Sequence, residues 1–227
     1  MKTTWYFFII ALAFTGCFSM AHYYTDFAYH IHTLVFILCI SLLSRDMINV
    51  QHLVCLLLIA TLIEAGSFYL IQNVFSLGKK PYQINFMIFV MHFTVDLLSF
   101  ILIKRRVRLS MNYVKKFQPS KREYIYMTHA DIILVGIFFL FMLVDLAAFA
   151  ENIIRNLEHF GVDESFAKQF WKWGIVYYSY PYVKSVLLAA VITTLLATIY
   201  VERFRPAPIK ESEEDSTLKK SEPQHRS

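Results

Sequence analysis

At 227 residues, with 57% hydrophobic, 17% aromatic and only 17% charged side chains, the chain has the composition of a membrane protein and not of a soluble domain. No stretch outside its apolar runs reaches the roughly 50 residues that an independent catalytic domain needs, so its activity belongs in or at the bilayer. The net charge of +5 does not indicate nucleic acid as a partner, because Lys and Arg gather beside the ends of apolar spans, which is the positive-inside pattern.

The first segment, residues 1–21, has a basic start at Lys2, an apolar run from Trp5 to Phe14 and then Thr15-Gly16-Cys17. Three readings fit: a first transmembrane helix, a secretory signal cleaved after Ser19 and Ala21, or a lipoprotein-type signal in which Phe14-Thr15-Gly16-Cys17 approximates a lipobox. All three leave the following segment outside. Thr25 or Asp26 is then the expected N-cap of a second span reaching Leu43. His30 and His32 lie at its outer end, two residues apart and so on different helix faces, and read as interfacial anchors.

After a tight turn at Ser44-Arg45-Asp46, two spans of about 20 residues, Leu53 to Phe75 and Ile84 to Ile103, form a hairpin broken by Gly78 and Pro81. A basic inner loop over residues 104–122 is expected to follow. Its Lys104, Arg105, Arg106, Arg108, Lys115 and Lys116 are expected to fix orientation and to dock on anionic lipid headgroups or a protein partner. Ser120-Lys121-Arg122-Glu123 after Pro119 fits a capping box, which predicts that the fifth helix starts there, ahead of its apolar part from Ile132 to Ala150.

Residues 151–173 read as an outer interfacial segment. Gly161 breaks it, Asp163 caps a new helix, and Phe166, Phe170, Trp171 and Trp173 form an aromatic face leading into the last span, which ends near Tyr200. From Pro206 to Ser227 the composition cannot bury a core, so a disordered cytoplasmic tail is expected. The whole reads as an all-α polytopic bundle over residues 22–205, with six spans in all, or five if the first is cleaved. Eight Lys and Arg between Lys104 and Arg122, against two in the 76–83 loop, predict both termini in the cytoplasm, and the look of the N-terminal segment suggests a bacterial inner membrane. A match of Ile63-Glu64-Ala65-Gly66-Ser67-Phe68 to Val144-Asp145-Leu146-Ala147-Ala148-Phe149, with Pro81-Tyr82 echoed by Pro181-Tyr182, would follow from a duplicated hairpin.

Ionisable groups at membrane depth cost at least ~2.5 kcal/mol each and so turn toward protein, a partner or water. Glu64 and His92 lie near mid-span, and Asp96 shares a helix face with His92 at i, i+4, so Glu64, His92 and Asp96 are expected to cluster between two antiparallel helices. Such a cluster relays protons, binds a cation or ligates a metal, or it serves as a structural hydrogen-bond network. Asp145 and Lys184 both lie a few residues below the expected outer surface on consecutive spans and are expected to form an ion pair.

No GxSxG, HExxH, Walker loop or CxxC is present, so the chain carries no motif of a nucleophilic or metallohydrolase enzyme. Cys17, Cys39 and Cys55 have no disulfide or zinc spacing. No cofactor is assigned, although His52 with His129, or His32 with His92, supply the ligand count for a bis-histidine haem. Three functions follow: proton-linked passage of a small solute or ion, a non-transporting accessory or sensor subunit docking to a partner or to a second copy of itself, and a haem- or metal-binding redox protein.

Overall fold

The computed structural model describes residues 2–24 and 26–204. The Thr25 or Asp26 cap and the tail beyond Phe204 fall outside the described residues and side chains. Among the described residues the chain is all helical: α1 (Lys2–Tyr24), α2 (Asp26–Leu43), α3 (Ile48–Leu70), α4 (Pro81–Lys104), α5 (Arg106–Phe117), α6 (His129–Ile154), the single turn α7 (Glu164–Ala167) and α8 (Ile175–Arg203). Four helical stretches, 48–75, 81–104, 129–154 and 175–203, are long and apolar enough to cross a membrane, and shorter apolar stretches occupy 5–21 in α1 and 30–43 in α2. Fewer than half of the residues in each long span are buried, which leaves broad apolar faces such as Leu62, Ile133, Leu140 and Val186 for lipid. The chain is a helical membrane protein.

The long helices close a ring. α1 packs on α2, α2 on α3, α3 on α4, α4 on α6, α6 on α8, and α8 returns to α1. α8 also reaches α2 and α3 across the middle. The shared core holds Val50, Leu53, Val54 and Leu57 of α3, Ile103 of α4, Leu134 of α6, and Ile192 and Leu195 of α8. These residues lie toward one end of the bundle, the end that carries α5.

At that end a single buried cation ties the elements together. Arg106, fully buried, donates from Nε to Asp131 at 2.7 Å and from a second nitrogen to the other Asp131 oxygen. It also donates to the Asn49 side-chain oxygen at 2.9 Å and to the Tyr126 carbonyl at 2.8 Å. Asn49 in turn donates to the Tyr124 carbonyl at 2.8 Å. Tyr126 donates its hydroxyl to Glu202 near the end of α8, and Arg203 donates to the Leu43 carbonyl at 3.1 Å. A planar guanidinium with five donors suits this, since each of its partners is fixed on a different segment.

Three sequence expectations change here. Arg106 is not a headgroup-docking residue: Lys104, Arg105, Arg108, Lys115 and Lys116 are exposed, whereas Arg106 faces inward because Asp131 and Asn49 satisfy it. The basic stretch is not a loop, since α5 is amphipathic and buries Arg106, Ser110 and Val114 along one stripe. The 119–124 segment is a 3₁₀ turn without a side-chain cap, and α6 begins at His129, where the Thr128 amide and hydroxyl donate to Asp131. Asp131 therefore serves both the helix start and Arg106.

At the opposite end, where α4 begins, Gly78 takes φ +72 in the turn and Pro81 opens α4 at its first position. Asp163 caps α7 by accepting from the Ser165 amide at 3.0 Å, and the Ser165 hydroxyl and then that amide hold its carboxyl below the ordinary range. The aromatic segment after it is a series of turns and not a continuous interfacial helix, because Gly174 separates it from α8. Pro181 lies inside α8 whereas Pro81 starts α4, so the two proline-tyrosine pairs occupy unlike positions. Glu151 of α6 takes over the start of α8, accepting from the amides of Val176 at 2.7 Å and Tyr177 at 3.1 Å.

Replacing Arg106 by Ala strands Asp131 in a buried position, and its expected cost is about 3–5 kcal/mol. Thermal unfolding in detergent checks this, with Lys115→Ala as the control that stays near wild type; an Arg106→Ala protein as stable as the parent contradicts the clasp.

Candidate functional site

At a rise of 1.5 Å per residue, Glu64, His92, Asp145 and Lys184 lie about 13 to 17 Å in from the helix ends at Phe75, Pro81, Ile154 and Ile175, which is the mid-depth of a bilayer core. Because neighbouring helices of the ring alternate in direction, side chains distant in sequence arrive in one layer. α2 contributes His30, α3 Glu64, α4 His92 and Asp96, α6 Asp145, and α8 Tyr180 and Lys184.

Two linked groups result. In the first, His92 Nδ1 lies 2.8 Å from Glu64 Oε1, and the His30 ring lies parallel to His92 with centroids 6.5 Å apart, leaning on Phe68. In the second, the Lys184 ammonium sits 2.7 Å from Asp96 and 3.0 Å from Asp145. Tyr180 donates to Asp145 at 2.8 Å, and its ring meets the edge of His92 at 6.2 Å. Tyr180 thus joins the two groups. The Lys184 ammonium also lies over the Phe141 and Tyr180 rings, at 4.8 and 5.7 Å.

The pairings differ in detail from those read in the sequence. Asp96 shares the His92 face of α4, yet its carboxylate turns to Lys184 and not to His92. Lys184 bridges two carboxylates from two helices where one partner was expected, so Asp96 belongs with the lysine and Glu64 with the histidine.

Two contributors were not assigned from sequence. His30 was read as an interfacial anchor, yet it is buried beside His92 while His32 is exposed. Tyr180 sits four residues before Lys184 on the same helix face, the one signal that could have placed it.

The layer carries three carboxylates, one lysine and two imidazoles. Charges at this depth need compensation, so neutrality requires two further positive charges beyond Lys184: protons on the imidazoles or carboxylates, or a bound cation. Asp145 is fully buried and its Oδ2 has no hydrogen-bond partner among the described residues. Groups of three or more His, Cys, Asp and Glu side chains disposed to hold a metal ion are absent from the described residues. His52 packs its ring against Tyr113 at 5.7 Å, while His129 is exposed.

A cavity of about 510 Å³ opens from the Pro81 end onto this layer, lined by His30, His92, Tyr180 and Lys184 at its floor and by Gln72, Asn85 and Tyr177 nearer its mouth. Its wall exploits two irregular segments. The π-helical turn Ile71–Phe75 carries Gln72, and Pro181 removes one backbone donor from α8 beside the cavity. Below the floor a void of about 40 Å³ is bounded by Thr61, Glu64, Asp96, Ser99 and Lys184, room for one or two waters among polar partners. Deeper still comes the apolar core. Beyond it, at the α5 end, a third space of about 760 Å³ is lined by Arg45, Gln51, His52, Tyr113 and Lys121.

The fold and site define a polytopic helical membrane protein with a charged interior layer open to one end. No family model, curated protein or solved structure matches the chain.

Lys184→Met leaves Asp96 and Asp145 facing each other without a cation, with an expected loss of about 3–5 kcal/mol. The triple change Lys184→Met, Asp96→Asn, Asp145→Asn recovers most of it, as read by thermal unfolding of the purified protein. A single variant that melts like wild type contradicts the bridge.

Proposed function

We propose that the chain passes a small solute or ion across a bacterial inner membrane, coupled to protons, through the charged layer on α2, α3, α4, α6 and α8. The observation carrying this reading is the cavity that brings the Pro81 end down to His92, Tyr180 and Lys184 at mid-depth. A layer that served only to hold helices together has no need of a route to water. Its proton inventory supplies the coupling, since each charge that arrives must displace or accompany a proton for the layer to stay neutral.

The arrangement has the form of a chamber open at one end and shut at the other. Leu57, Leu134, Ile192 and Leu195 fill the space below the charged layer, and the Arg106 clasp holds the helices together beneath them. Passage then requires these helices to part at the α5 end while they close over the cavity, a rocking of one group of helices against the other. With the basic α5 end in the cytoplasm, as the exposed Lys104, Arg105, Arg108, Lys115 and Lys116 favour, the chamber faces outward.

A second reading, an accessory or sensor subunit, draws on α5. Leu109, Tyr113 and Phe117 are exposed there among the basic side chains, a surface suited to anionic headgroups or a protein partner.

Reconstitution into liposomes loaded with a pH-sensitive dye separates the two. Proton movement driven by an imposed solute gradient is expected with the wild-type chain and is expected to fall at least tenfold with Glu64→Gln, which keeps shape and removes the charge beside His92. Vesicles no more permeable than empty ones, across inorganic ions and small amines alike, favour the accessory role.

A further inference from the structure

We propose that the 510 Å³ cavity binds an organic cation, an amine or quaternary ammonium on an apolar body, and that this is the solute of the passage proposed above, a reading on which the inference rests. Three observations converge on that class.

The first is charge. The one permanent cation at the floor, Lys184, is held between Asp96 and Asp145 at 2.7 and 3.0 Å and has no charge left to offer an incoming anion. Behind the floor lie three carboxylates: Glu64 and Asp96 bound the small void beneath it, and the fully buried Asp145 holds Lys184 and Tyr180. An anion would meet this excess of negative charge, whereas a cation relieves it.

The second is the wall. Phe68, Phe89, Tyr177, Tyr178 and Tyr180 all border the cavity. Ring faces attract cations electrostatically, and quaternary ammonium groups are recognised in aromatic cages of this kind. The rings at this end already serve that purpose within the protein: Lys184 lies over Tyr180, and Arg155 lies over Tyr177 at 5.0 Å. A bare inorganic cation needs a dense shell of oxygens, which an aromatic wall does not offer.

The third is size. About 510 Å³ exceeds what an ion or a few waters need and falls in the range of pockets for small organic ligands.

Neutrality then sets the coupling. His30 from α2, His92 from α4, and Tyr180 and Lys184 from α8 form the floor, with Glu64 from α3, Asp96 from α4 and Asp145 from α6 directly behind them; Glu151 and Arg155 of α6 stand beside Tyr177. When a cation seats above them, charge balance favours release of a proton from the layer to water and its return when the cation departs. Binding therefore strengthens as pH rises, with one proton released per cation bound.

The test is titration calorimetry on the full chain in phosphatidylcholine nanodiscs with three probes of one shape: benzyltrimethylammonium, phenylethanol and phenylacetate. The cation is expected to bind at least tenfold more tightly than the alcohol at pH 8, with no measurable binding of the carboxylate. Its affinity is expected to fall about tenfold by pH 5.5, with proton release seen as a dependence of heat on buffer. Tyr180→Phe, which keeps the ring, is expected to hold affinity within about threefold, and Tyr180→Leu to lose at least tenfold while its thermal unfolding shows it folded. Equal binding of the three probes, preference for phenylacetate, no binding at all, or an unchanged Tyr180→Leu would each overturn the inference. Proton-linked flux of another solute without cation binding leaves the passage reading standing while this inference falls; selective cation binding without flux sustains the cation site alone and overturns both the passage and the cation's role as its solute.

Discussion

The contact on which the interior depends is the Lys184 ammonium lodged between Asp96 of α4 and Asp145 of α6. Three charges on three helices are drawn to one point in a medium where each alone would cost several kcal/mol. That requirement fixes the rotation of α4, α6 and α8 about their own axes, because turning any one of them would carry its charge into lipid. Apolar packing alone is less specific here, since lipid tails are about as favourable as another leucine face.

Once those rotations are fixed, the neighbouring residues follow. His92, one turn before Asp96, is brought toward Glu64 on α3, and Tyr180, one turn before Lys184, is placed to donate to Asp145. The bundle is thereby divided along its length. Its Pro81 half holds polar side chains, a π-helical turn, an internal proline and a cavity; its α5 half holds dense apolar packing closed by the Arg106 clasp. On the proposed passage reading, the half with the cavity is the chamber and the packed half its seal, with the two buried charge networks holding the helices in each.

Much of the fold was legible from length and hydropathy, because the bilayer imposes about 20 apolar residues per crossing whatever their identity. The residues at the centre were legible for the same reason: Glu64, His92, Asp96, Asp145 and Lys184 stand out against apolar surroundings. The Glu64–His92 contact and the Asp145–Lys184 ion pair were legible too, but the partner of Asp96 was not. Helix rotation and the length of a lysine stem decide that Asp96 meets Lys184, and a helical wheel drawn for one span carries neither. Arg106 was hidden by its company, since a buried arginine amid surface basic residues looks like one more of them until Asn49 and Asp131, distant in sequence, are seen to satisfy it. The Ser120 to Glu123 pattern misled because local capping chemistry competed with a stronger site eight residues later, where Asp131 serves both the helix start and Arg106. His30 was judged against His32 alone, when its true neighbour lies two helices away.

The most direct test of this division is the reach of water from each end. With Cys17, Cys39 and Cys55 replaced, single cysteines at Asn85 and Ile88 on the cavity wall and at Leu195 in the seal are exposed in proteoliposomes to a membrane-impermeant methanethiosulfonate reagent. The first two are expected to react from the side carrying the Pro81 end and not from the other, and Leu195→Cys from neither. Equal labelling of all three from both sides, or protection of all three, would contradict a charged layer hydrated from one end.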